Sequence, residues 1–139
     1  MKKILCIILT LVMILATSTF SFGAVKPDDG TVSPQYAVTG ADSAVISISG
    51  SKASYEAKLR PSAGQTISYV KATLNLVNSK GTVVKTKTET IYLSGGYFKI
   101  SDSKTLTAKG TYHAEYTLKV YKSGSLVETV KGKSNNATY

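Results

Sequence analysis

An all-β domain is the fold class this chain predicts, and the order of its polar and apolar residues predicts it in two ways. Between positions 43 and 132 they alternate with period 2 in one short stretch after another, and no stretch sustains the 3.6-residue period of a helix. Gly, Ser, Asn or Pro separates nearly all of these stretches. About seven short strands in one small domain need a second layer to bury their apolar faces, so a single antiparallel β-sandwich or barrel is expected.

Taken in order, the first strand is expected at "SAVISIS" (43–49), stopped by Gly50, and the second at "ASYEAKL" (53–59), stopped by Pro61. "TISYVKATLNLVN" (66–78) and "TVVKTKTETIYL" (82–93) read as a hairpin through Ser79-Lys80-Gly81, with Gly81 supplying the left-handed position. "YFKIS" (97–101) follows a Ser-Gly-Gly break. "TYHAEYTLKVY" (111–121) and "LVETVKG" (126–132) form a second hairpin through Ser123-Gly124.

Flush pairing across the two turns sets registers. In the first hairpin Val77 meets Val83, Leu76 meets Val84 and Lys71 faces Glu89; in the second Val120 meets Val127 and Lys119 faces Glu128. Opposite charges then fall opposite each other in both, each pair contributing a few tenths of a kcal/mol. With these registers, and both hairpins in one sheet, Tyr69, Lys71, Thr73, Lys85 and Lys87 share an outward face with His113, Glu115, Lys119 and Tyr121.

The opening of the sixth stretch carries a resemblance. Leu106, Gly110, Tyr112 and Ala114 have the spacing found where immunoglobulin-like sandwiches enter their penultimate strand, with Gly two residues before a Tyr and, in disulfide-bearing members, Cys two residues after it. The chain resembles the end of an immunoglobulin-like domain over that segment. Ala114 stands at the cysteine position, Ala108 stands where many such domains have Asp, and the chain has no Trp. The resemblance implies an immunoglobulin-like sandwich of about seven strands, with Gly110 and Tyr112 forming a structural corner. The Tyr112 ring would pack inside and its hydroxyl would bond to backbone just upstream, with Ala114, Tyr116, Leu118 and Val120 lining the core.

The N-terminus points to export. Lys2 and Lys3, the apolar run Ile4 to Leu15 and the small-residue tail Ala16 to Ala24 read as a bacterial-type secretory signal, too short to span a bilayer. The expected organisation is therefore a signal peptide over 1–24, a leader or loose first strand over 25–41 and the sandwich over 42–139. Cys6, the only cysteine, lies in the signal segment, so the exported domain is expected to fold without disulfides or thiolate metal sites. No transmembrane segment is expected after cleavage, and the expected location is extracellular, free or associated with the cell wall.

Charge narrows the partners. The formal net charge is +9, and removal of Lys2 and Lys3 leaves a large excess of cations. Such a surface is drawn to anionic polymers. Nucleic acid is disfavoured, because the lysines alternate with Thr along strands instead of lining a groove. No cofactor is expected, and no metal: His113 and Glu115, its neighbour two residues on, are two candidate groups where a site needs three or four. There is no Gly-x-Ser-x-Gly elbow and no recognisable carboxylate pair, so an enzyme is not expected. The reading is a small secreted binding or adhesion module. It contacts an anionic cell-envelope polymer or an extracellular protein through Tyr69, Lys71, Lys85, Lys87, His113, Lys119 and Tyr121. A bacteriocin-like protein acting on neighbouring cell envelopes is the alternative.

Overall fold

The computed structural model describes residues 37–139, and among them the alternating stretches form strands while no residue is helical. The strands are β1 (Thr39–Ser49), β2 (Lys52–Pro61), β3 (Tyr69–Asn78), β4 (Val83–Ile91), β5 (Phe98–Thr105), β6 (Thr111–Lys122), β7 (Ser125–Lys133) and β8 (Ala137–Thr138). Strand β1 takes in positions 39–41, which the sequence reading placed with the leader. The expected signal peptide, 1–24, and most of the leader lie outside the described residues.

Two antiparallel sheets result. The first has the order β1-β2-β5, and the second the order β4-β3-β6-β7 with the two-residue β8 beside β6. Alternation places one face of each sheet inward. Ile46, Ala53, Tyr55, Ala57, Leu59, Phe98 and Ile100 from the first sheet join Val70, Ala72, Leu74, Leu76, Ala114, Tyr116, Leu118, Val120 and Val130 from the second in one buried apolar cluster. Two sheets enclosing one core are compatible with a β-sandwich. Each large apolar side chain taken out of water stabilises it by about 1.5–3 kcal/mol before entropy is counted.

Both hairpin registers differ from flush pairing, and for one physical reason. Beside the first turn Val77 does meet Val83, but one step on Leu76 meets Lys85 instead of Val84. In the second hairpin Tyr121 meets Leu126, after which Val120 meets Glu128 instead of Val127. Each second strand holds one extra residue, a β-bulge, and a one-residue shift sends every later side chain to the opposite face. Lys71 therefore faces Thr90, and Lys119 faces Thr129. The expected Lys71–Glu89 and Lys119–Glu128 pairs do not form.

The displaced charges bond across the gap between the sheets. Lys85 Nζ donates to Asp102 Oδ1 at 2.9 Å and to the Ser103 carbonyl at 2.9 Å, and Lys87 Nζ donates to the Ser101 carbonyl at 3.1 Å. These tie the edge strand β4 to the edge strand β5. On the other side, Glu128 Oε2 accepts the Val38 and Thr39 N–H groups at 3.0 and 3.1 Å, and the Tyr116 hydroxyl donates to Asp42. Strand edges otherwise present unsatisfied backbone groups to other chains. Here cross-sheet side chains occupy part of them.

Candidate binding face

The outward face of the second sheet is a set of cross-strand rows, and the bulges decide what each row contains. Lys71 lies directly opposite Lys119, with Thr90 and Thr129 as their other neighbours. The next row is Thr88, Thr73, Thr117 and Lys131; the one after is Thr86, Asn75, Glu115 and Lys133. Side-chain bonds within the rows confirm the shared face: Thr73 Oγ1 lies 3.3 Å from Thr88 Oγ1, and Thr86 Oγ1 donates to Asn75 Oδ1 at 2.8 Å.

On the other side of the lysine row, Tyr69 lies opposite Tyr121, and Tyr121 opposite Leu126. The Tyr69 and Tyr121 rings stack with centroids 4.8 Å apart and planes 14° apart. Tyr92, just past β4, brings its ring to 6.5 Å from Tyr69 at 55°. Lys71 Nζ stands 5.2 Å from the centre of the Tyr121 ring, within reach of a cation–π contact.

Of the residues expected to share this face, Tyr69, Lys71, Lys119 and Tyr121 come together. His113 shares the face but not the cluster: it stands eight residues along β6 from Tyr121, about 27 Å at strand rise. Its Nε2 lies 3.1 Å from Glu115 Oε1. Lys85 and Lys87 are not on this face at all, as the register of β4 turns them toward the first sheet. Lys131 and Lys133 are on it, and sequence reasoning missed them. A signal was present in the parity: Ile91 and Val130 are the buried residues of β4 and β7. Lys85, Lys87 and Glu89 share parity with Ile91, while Lys131 and Lys133 are out of phase with Val130.

The lysines of the first sheet provide a comparison. Lys58 and Lys99 also stand opposite each other, but Glu56 lies between them, 2.7 Å from Lys58 Nζ and 3.4 Å from Lys99 Nζ. The Lys58 hydrogen bond holds the Glu56 carboxyl below its usual range; burial opposes this, and Lys99 adds to the lowering. Strand register sets no carboxylate opposite Lys71 or Lys119. Like charges directly opposite one another destabilise a sheet, so this row carries a local cost that the Lys58–Lys99 row avoids.

Gly110 and Tyr112 lie at the entrance to β6. Tyr112 is buried, and its hydroxyl donates to the Ala108 carbonyl at 2.8 Å. Gly110 exchanges backbone hydrogen bonds with Tyr139, and Lys109 Nζ lies 4.0 Å from the Tyr139 ring centre. Among the described residues, no group of three or more His, Cys, Asp or Glu side chains comes together, and no helix is long and apolar enough to cross a membrane. Compared with known proteins, the chain matches no family model and no curated protein.

Proposed function

We propose that this protein is a secreted, non-catalytic binding module that holds an anionic cell-envelope polymer on the outward face of its second sheet. The observation that carries the reading is the Lys71–Lys119 row. Two cations are held opposite each other with threonine on either side, and Lys131 extends the charge over the same face, while Lys133 lies opposite Glu115. A polyanion laid across the strands would neutralise the row, turning a local cost into binding energy. The Lys71–Tyr121 contact offsets part of that cost, but no carboxylate lies opposite either lysine, and residues that break a stability rule are expected at functional sites.

The finer fold reading is an immunoglobulin-like sandwich. The sheet orders β1-β2-β5 and β4-β3-β6-β7 support it, as does the Tyr112 hydroxyl bond to the turn before β6. Export rests on the charged, apolar and small-residue segments of positions 1–24.

Retention on purified anionic wall polymer tests the binding reading. Parent protein should be retained at low salt and released as salt rises, since screening shortens the reach of exposed charges to about 8 Å at physiological ionic strength. The Lys71→Gln/Lys119→Gln variant should pass through. Lys58→Gln/Lys99→Gln, which removes as much charge from exposed lysines of the first sheet, should still be retained. Equal loss in both variants would mean that net charge, and not this face, makes the contact.

A further inference from the structure

The tyrosine row beside the lysines says what kind of polyanion the face fits. Tyr92, just past the end of β4, is followed across the sheet by Tyr69 on β3, Tyr121 on β6 and Leu126 on β7, a span of about 14 Å at the usual strand spacing. Tyr92 is 67% exposed and Leu126 51% exposed, so the row has open apolar surface at both ends. Tyr69 and Tyr121 brace each other in the middle. Rings ordered before a ligand arrives lose little freedom on binding.

We propose that this row is a saccharide-stacking subsite, so that the polymer taken by the face is an acidic polysaccharide. The inference rests on the reading of the face as an anion-holding surface and names its ligand. The C–H face of a pyranose packs on an exposed aromatic ring, and Tyr92 offers one. An acidic substituent on that sugar or the next would reach the Lys71–Lys119 pair, two residues along the strands or about 7 Å away. Beyond the lysines, Thr88, Thr73, Thr117, Thr86 and Asn75 offer hydroxyl and amide groups to the sugar hydroxyls. A protein partner would instead be expected to anchor a large side chain in a desolvated pocket. A polyanion without sugar rings would use the lysines and leave the tyrosines idle.

The test compares polygalacturonate with polyglutamate of matched length and charge, both carboxylate polymers but only one built of sugar rings. Affinity is followed by titration at physiological salt. Polygalacturonate should bind about tenfold more tightly, the upper end of what one aromatic contact contributes. Tyr92→Ala should reduce polygalacturonate to the polyglutamate level without changing polyglutamate binding or the melting temperature, and Tyr92→Phe should bind as the parent does. Lys71→Gln should weaken both polymers. Equal affinity of the parent for the two, or no effect of Tyr92→Ala, overturns the saccharide subsite and leaves the anion-holding face standing. Failure of the parent to bind either polymer overturns both.

Discussion

Lys85 spans the gap between the two sheets to reach Asp102, its ammonium 2.9 Å from the carboxylate. The Tyr55 hydroxyl donates to the other oxygen of Asp102 at 3.2 Å, and the Ser103 N–H donates to the first at 2.8 Å. Burial alone would raise the Asp102 carboxyl, but these three donors together with the Lys85 charge hold it below its usual range. For Tyr55 the direction is upward, because burial and the neighbouring Asp102 charge both disfavour the phenolate. One bulge in β4 thus turns what would have been a surface lysine into the hub of a cross-sheet polar cluster.

Acid should find this cluster. The folded-state pKa of Asp102 lies below its unfolded value of about 3.9, so its contribution is complete above that pH and is lost as pH falls through the folded value. Glu56 shifts in the same direction and adds to the loss. Unfolding free energy measured by denaturant titration should therefore decline below about pH 4. Asp102→Asn should be less stable at pH 7 and decline less steeply, keeping the part due to Glu56. Parallel pH curves for parent and variant would mean that Asp102 is not held ionised by its partners.

Tyr112 joins a core ring to a turn carbonyl, and the two parts can be removed separately. Tyr112→Phe deletes the bond to the Ala108 carbonyl and should cost about 0.5–1.5 kcal/mol in chemical unfolding. Tyr112→Ala also empties the ring's site and should cost about 3–5 kcal/mol. If Phe is as costly as Ala, the ring contributes no packing and the corner is misdescribed.

Gly132 makes room for Tyr116. The tyrosine crosses over it to reach Asp42 in β1, and a Cβ at 132 would collide with the phenol. Gly132→Ala should thus destabilise by about 1–3 kcal/mol, the usual range for an overpacked site. Tyr116→Leu in the same background should recover part of that loss in thermal melts. No recovery would place the strain elsewhere.

The sequence makes the strands legible because alternation is local: each of β1 to β7 overlaps a stretch of period-2 patterning, and β8, two residues long, is too short to show one. Burial of Ala114, Tyr116, Leu118 and Val120 follows from the same pattern. The composition of the face is less legible because it depends on strand register, and a single extra residue beside each turn reverses it. Opposite charges at Lys71 and Glu89, and at Lys119 and Glu128, made flush pairing attractive, each by a few tenths of a kcal/mol. Burial of Ile91 and Val130 is worth several times more and sets the parity. The tyrosine row was half visible: Tyr69 and Tyr121 were expected on the face, but Tyr92 joins them only once the register of β4 is known.

The Lys71–Lys119 row is the centre of this account, and salt dependence combined with stability tests it most directly. Affinity for an anionic wall polymer should be measured across a salt series for the parent and for Lys71→Gln/Lys119→Gln, with thermal melts of both. Parent affinity should fall steeply with salt. The variant should bind weakly with a shallow salt dependence, yet melt close to the parent, because relief of two opposed cations, a few tenths of a kcal/mol, is set against loss of the Lys71–Tyr121 contact, of similar size. A variant that binds with the parent's salt slope, or that melts well below it, would show that the two lysines serve the fold and not a ligand.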